Sequence, residues 1–272
     1  MIDTLLAPAR VAAIQMVSAP DVALNLSAAE ALIAQAVDLG AELVALPEYF
    51  CFMGRNDREK VALREPEGGG PVQDFLSAQA RRHGIYLAGG TLPLECPDPG
   101  RVYNTAFVYG PDGGVVARYD KIHLFSFRRG AESYDEALSI RPGAAPAAFD
   151  TPWGRVGLST CYDLRFPELY RALGPVDLIL VPAAFTYTTG QAHWETLLRA
   201  RAIENQCYVL APAQGGVHPN GRRTWGHAML IDPWGVVQSV LPEGPGVVDG
   251  VFDRARIAEV RTALPALRHR VL

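Results

Sequence analysis

The stretch RVGLSTCYDLRFPELY (155–170) changes character in its middle. RVGLST (155–160) is small and apolar and reads as a buried strand. Cys161 follows, then Asp163 and Arg165, then Pro167 at the opening of an acidic helix start. A packing cysteine belongs inside an apolar run, because free cysteine is among the most buried residue types. A thiol at the point where a strand gives way to charge is a candidate nucleophile.

Two other segments have the same design. LVALPEYF (43–50) is an apolar strand that delivers Glu48, and VVARYDKIHLF (115–125) delivers Lys121. Taken singly, Glu48 reads as a helix cap or surface charge, and Lys121 as a solvated hairpin end. Taken together with Cys161 they are complementary. A thiol needs deprotonation to attack, and a carboxylate can take the proton. An ammonium can favour the thiolate and hold an oxyanion, and the N–H of Tyr162 is a second oxyanion donor. Ends of strands are where open α/β sheets gather their sites.

Around these segments the chain alternates strands and helices. Strands are expected at 10–18, 42–47, 85–92, 155–160 and 177–182, and again at 207–213, 227–233, 236–241 and 246–252. PDGG (111–114) reads as a hairpin turn between two more strands. Apolar spacing of three and four predicts helices at 25–40, 71–84 and 192–206, with a further one from about Pro167. Residues 126–147 read as a loop. The Pro/Gly clusters are loop-sized and nothing repeats, so one domain over residues 1–272 is expected. The late hairpins argue for mixed sheets, and two sheets each covered by helices fit the count.

Composition narrows the function. Of 272 residues, 49% are hydrophobic and 20% charged, with a formal net charge of −4, which gives no basic footprint for nucleic acid. No apolar run approaches the roughly 20 residues of a membrane span. MIDTLLAPAR (1–10) lacks the features of a signal peptide, so a cytoplasmic protein is expected. Four scattered cysteines (51, 96, 161 and 207) include no C-x-x-C pair, which argues against zinc and against a disulfide framework. G-x-S-x-G, G-x-G-x-x-G and Walker motifs are absent. His123, His193, His218 and His227 occur outside any recognisable nucleophile–base context.

LPEYF (46–50), YDKIHLF (119–125) and TCYDLRFPELYR (160–171) resemble the Glu, Lys and Cys motifs of the nitrilase superfamily of carbon–nitrogen hydrolases. Order and spacing match, with 73 residues from Glu48 to Lys121 and 40 from there to Cys161. The resemblance runs from about Arg10 to about His269. It implies an α/β fold, a four-layer αββα sandwich of two mixed sheets covered by helices. It also implies a cysteine nucleophile with no cofactor and no metal, and a homodimer or higher homo-oligomer. A second glutamate is implied before a Pro–Gly pair; DEALSIRPG (135–143) offers Glu136, with Glu132 as the alternative. GQAHWETLLRARAIENQCYVLAPAQGG (190–216) and GHAMLIDPWGVV (226–237) are similar to the deaminated glutathione amidases, relatives of the ω-amidases.

That branch implies hydrolysis of deaminated glutathione to 2-oxoglutarate and cysteinylglycine. An ω-amidase acting on 2-oxo acid amides, an N-carbamoyl amine hydrolase and a non-catalytic scaffold are the alternatives. Arg165 suits a substrate carboxylate, or else a salt bridge to Asp163 or Glu168. Phe185, Thr188 and Thr189 are expected to line the pocket. After KIHLF the branch usually has an acidic residue, whereas this chain has Ser126, Phe127, Arg128 and Arg129.

Overall fold

The strand expected at 10–18 runs over Ala9–Met16 and organises one half of the molecule. It pairs in parallel with Leu43–Ala45 and Ala213–Val217, and antiparallel with Gly246–Phe252. Its side chains alternate between two buried faces, as period-two geometry requires. Ala12, Ile14 and Met16 pack with Ile33 and Leu76, residues of the helices Val22–Asp38 and Pro71–His83. Val11 and Ala13 pack on the other face with Leu158, Leu180 and Val209 of a second sheet. The structure, a computed structural model, describes residues 7–271 except 57 and 131.

Among the described residues the first sheet has nine strands and the second has six. The second holds Gly154–Leu158, Leu178–Leu180 and Tyr208–Ala211 in parallel, with antiparallel strands at both edges. The helices Pro167–Ala172 and Tyr187–Asn205 cover its outer face, with Trp194 and Leu198 in the core. The layers therefore run helix, sheet, sheet, helix, and both sheets are mixed, as expected. Among the described residues no helix is long and apolar enough to cross a membrane.

Several boundaries differ from expectation for local reasons. The strand expected at 207–213 is divided at Pro212, which has no N–H to give a ladder. Tyr208–Ala211 belongs to the second sheet and Ala213–Val217 to the first, so the chain crosses between sheets there. The strand expected at 85–92 is likewise two, Tyr86–Ala88 and Leu92–Glu95. Between them Gly90 adopts φ +56°, and a Cβ there would lie 2.1 Å from the Pro47 carbonyl oxygen. The helix expected from residue 192 begins at Tyr187, because the Thr186 hydroxyl accepts the Thr189 N–H. The helix Arg254–Ala263, capped by Asp253, was not anticipated.

The expected loop over 126–147 is a correction. Ser126–Arg129 and Glu132–Asp135 form an antiparallel hairpin, followed by a short turn of 3₁₀ helix at Glu136–Leu138. Phe127 stands opposite Tyr134, and both rings lie within 6.0 Å of that of Phe125. This aromatic cross-strand packing makes a strand pair of a segment whose glycine and proline content suggested a loop.

Candidate active site

Three strand ends converge between the sheets. Glu48 follows Leu43–Ala45 and precedes Tyr49, which has φ +56°. Lys121 follows Val115–Asp120; its N–H donates to the Asn104 carbonyl at 3.0 Å and its carbonyl accepts the Gly143 N–H at 2.9 Å. A Cβ on Gly143 would lie 2.1 Å from the Asp120 carbonyl oxygen, so only glycine lets the chain pass so close behind the lysine. Cys161 follows Gly154–Leu158 and donates its N–H to the Pro182 carbonyl at 2.9 Å. Its φ of +51° is left-handed, a strained state for a side chain with a Cβ and one that clusters at functional sites.

The turns are tied together by Asp163, which is fully buried. It accepts from the Tyr119 hydroxyl at 2.7 Å, the Thr160 N–H at 2.8 Å and the His123 N–H at 3.0 Å, and lies 2.7 Å from His123 Nδ1. Residues on either side of Lys121 are thereby fastened to the turn that carries Cys161. The Arg201 guanidinium, on helix Tyr187–Asn205, donates twice to the Leu164 carbonyl at 3.1 and 2.8 Å and closes the turn from outside.

Lys121 is fully buried, and its ammonium meets two carboxylates. Nζ lies 2.9 Å from Glu48 Oε1, and 2.9 and 2.8 Å from the two oxygens of Glu136. Glu48 also accepts from Asn104 Nδ2 at 2.9 Å and from the Ala184 N–H at 3.0 Å. Glu136 accepts from the Tyr49 hydroxyl at 2.8 Å and the Phe125 N–H at 2.7 Å. Every buried charge here has a hydrogen-bond partner, the condition under which buried ions are tolerated.

These charges set the protonation states. Burial pulls the Lys121 ammonium down, but Glu136 and Glu48 outweigh it and hold it well above the ordinary lysine value. Burial raises Glu136, yet Lys121 and then Lys60 bring it below the usual carboxylate range. Burial, then the Glu48 charge, pushes the Cys161 thiol well above the ordinary cysteine value, against the pull of Lys121. The sequence suggested that the lysine would favour a thiolate. Lys121 does pull that way, but burial and then the Glu48 charge outweigh it. The resting residue is a thiol that feels the Glu48 charge.

A pocket opens onto these groups. Glu48, Glu136, Cys161 and Tyr162 line it with Arg165, Phe185 and Thr189. Arg165 has no carboxylate within 4 Å among the described residues. It stacks at 5.3 Å on the Phe185 ring and 5.6 Å on the Tyr162 ring, and one of its nitrogens lies 3.2 Å from His193 Nδ1. Of the two salt-bridge partners suggested by the sequence, Asp163 is occupied elsewhere and Glu168 forms no ion pair with Arg165. Thr188 is not in the lining and donates instead to Glu132 at 3.0 Å. Of the two candidate second glutamates, Glu136 meets Lys121 and Glu132 does not. Sequence reasoning missed Tyr49, Asn104, Phe125, Ala184 and Arg222. Tyr49 and Phe125 sit inside the motifs that carry Glu48 and Lys121, so proximity along the chain was a usable signal. Asn104 and Arg222 had none.

A mixed αββα sandwich with a thiol, two carboxylates and a buried ammonium at its strand ends is the architecture of a cysteine hydrolase. The chain matches the carbon–nitrogen hydrolase family over residues 10–262 and belongs to it. A deaminated glutathione amidase from Synechocystis is 44% identical over 270 residues, covering 97% of this chain and 98% of the relative. The human deaminated glutathione amidase is 40% identical over 267 residues, covering 96% of this chain and 81% of the relative. The solved structure of a Saccharomyces cerevisiae member of branch 10 of the nitrilase superfamily superimposes with a TM-score of 0.87 at 30% identity, covering 98% of both chains. An amidase from Nesterenkonia, in which acrylamide has added to the active-site cysteine, gives a TM-score of 0.78 at 27% identity, covering 96% of this chain and 99% of that one.

Proposed function

We propose that this chain is a single-domain amidase that cleaves deaminated glutathione to 2-oxoglutarate and cysteinylglycine through a thioester on Cys161. The observation that carries the reading is the buried Glu48–Lys121–Glu136 cluster beside a thiol held protonated. Glu48 takes the thiol proton as Sγ attacks the amide carbonyl. Lys121 Nζ and the Tyr162 N–H receive the oxyanion; the Cys161 N–H is already committed to Pro182. As the tetrahedral adduct collapses, Glu48 returns the proton to the departing nitrogen, which leaves as an amine. Water, deprotonated by Glu48, then attacks the thioester and releases the acid and the thiol. Glu136 keeps Lys121 charged and aimed throughout.

The substrate follows from the relatives and from Arg165. Relatives at 40–44% identity over nearly all of this chain carry the name deaminated glutathione amidase. Arg165 lies in the lining without an acidic partner of its own, as a site for the 2-oxo acid carboxylate requires. A panel of deaminated glutathione, 2-oxoglutaramate, an N-carbamoyl amine and a nitrile tests the assignment, with deaminated glutathione expected to give the highest kcat/KM. A leading rate on any other member overturns it in favour of that chemistry. Arg165→Ala should raise KM for the two 2-oxo acid amides roughly 10- to 100-fold, far more than for a neutral amide. Equal effects on charged and neutral amides would count against a carboxylate clamp.

The enzyme is further proposed to be cytoplasmic and at least dimeric. Four free thiols suit a reducing compartment. Ile203, Trp234 and Val236 are each about half exposed, and Gly235 packs against Ile203, so the three form one apolar patch suited to a second copy. Sedimentation equilibrium is expected to return at least twice the 29.4 kDa chain mass, and a monomer at micromolar concentration would remove this part of the proposal.

A further inference from the structure

Arg222 enters the pocket from the turn between strands Ala213–Val217 and Arg223–Trp225. Its guanidinium is poorly satisfied. One terminal nitrogen lies 3.5 Å from the Ala184 carbonyl oxygen, the other lies 3.8 Å from Met53 Sδ, and Nε is buried with no hydrogen-bond partner. Its charge sits 5.0 Å from the centre of the Tyr134 ring, and no carboxylate lies within 4 Å among the described residues. A guanidinium offers five donors in a planar fork, and leaving buried donors unused is costly unless a ligand takes them.

Position says which part of a ligand that is. Ala184 gives its N–H to Glu48 and its carbonyl to Arg222, so the guanidinium stands on the Glu48 side of the pocket. Glu48 is the group that protonates the departing nitrogen in the proposed reaction, and the leaving group must lie on its side. Arg222 also lines two hollows that continue outward, one against Tyr49 and Asn56, the other against Tyr134 and Asn220. Arg165 lines the inner pocket with Arg222 but neither of the outer hollows.

We propose that Arg222 anchors an anionic group on the leaving amine, the terminal carboxylate of a short peptide, while Arg165 holds the carboxylate of the acyl part. The two guanidinium groups would then read the two ends of the substrate separately, with the scissile amide between them. This inference rests on the amidase reading above. It adds a reason for a peptide leaving group to be preferred over ammonia.

The test compares substrates that share an acyl group. Deaminated glutathione releases a dipeptide carboxylate, its C-terminal carboxamide releases a neutral dipeptide, and 2-oxoglutaramate releases ammonia. In Arg222→Gln the ratio of kcat/KM for deaminated glutathione over 2-oxoglutaramate is expected to fall roughly 10- to 100-fold. The wild-type enzyme should discriminate against the carboxamide by a similar factor, and the variant should lose that discrimination. Arg222→Lys should recover part of it. Residual hydrolysis of 2-oxoglutaramate reports that the variant is folded. An unchanged ratio in Arg222→Gln, or a wild type indifferent to the carboxamide, overturns the anchor while leaving the amidase reading in place. A wild type that hydrolyses none of the three counts against the amidase reading and takes the anchor with it.

Discussion

Replacing Cys161 by alanine is expected to lower kcat by roughly 10⁴-fold or more while the chain stays folded. The effect is large because Cys161 is the one thiol in the pocket lining among the described residues, and the thioester forms on it. The fold should tolerate the change. The turn is held by the Asp163 network and by Arg201, neither of which uses the thiol. Alanine keeps the Cβ, so the left-handed backbone at this position is no more strained than before. The thermal midpoint should therefore move by only a few degrees at most. A variant that retained a tenth of the wild-type rate would remove Cys161 from the reaction.

Glu48→Gln should be nearly as damaging, with kcat falling roughly 10²- to 10⁴-fold, because the thiol loses the carboxylate that takes its proton. The amide still has an oxygen to accept the Ala184 or Asn104 donor, so geometry is largely kept. The variant also carries a pH signature. After burial, the Glu48 charge is the largest influence raising the Cys161 thiol, and Lys121 lowers it. Without that charge the Lys121 ammonium has one carboxylate fewer to offset it. The thiol should then ionise at lower pH, and alkylation of Cys161 by iodoacetamide should reach half-maximal rate at lower pH than in the wild type. Lost turnover with an easier-to-ionise thiol separates the loss of a base from the loss of a nucleophile. An upward shift in the alkylation profile would contradict the charge balance described for the site.

The parts legible in the sequence are those encoded over a few residues. Apolar strands ending at Glu48, Lys121 and Cys161 announced themselves, because strand and reactive residue are adjacent in the chain. The layering was also readable, since the number of strands and helices and the late hairpins fit two mixed sheets each covered by helices. What escaped depends on distant residues meeting. Asn104 reaches Glu48 across 56 positions, and Ala184 reaches it across 136. The direction of the Cys161 shift was hidden for the same reason: it comes first from burial and then from the Glu48 charge, both set by the fold and not by neighbours in the chain. The hairpin at 126–135 escaped because its stability comes from Phe125 packing against Phe127 and Tyr134, and period-two patterning is weak over four-residue strands. Arg222 escaped because a surface-turn arginine has no local signal that it faces a pocket.

Trapping the thioester tests the central claim most directly. Wild-type enzyme mixed with excess deaminated glutathione and quenched in acid within milliseconds should carry one 2-oxoglutaryl group by intact-protein mass spectrometry. Digestion should place it on the peptide containing Cys161, and hydroxylamine should remove it. Turnover without any such adduct in the pre-steady state, or an adduct on a residue other than Cys161, would contradict the account.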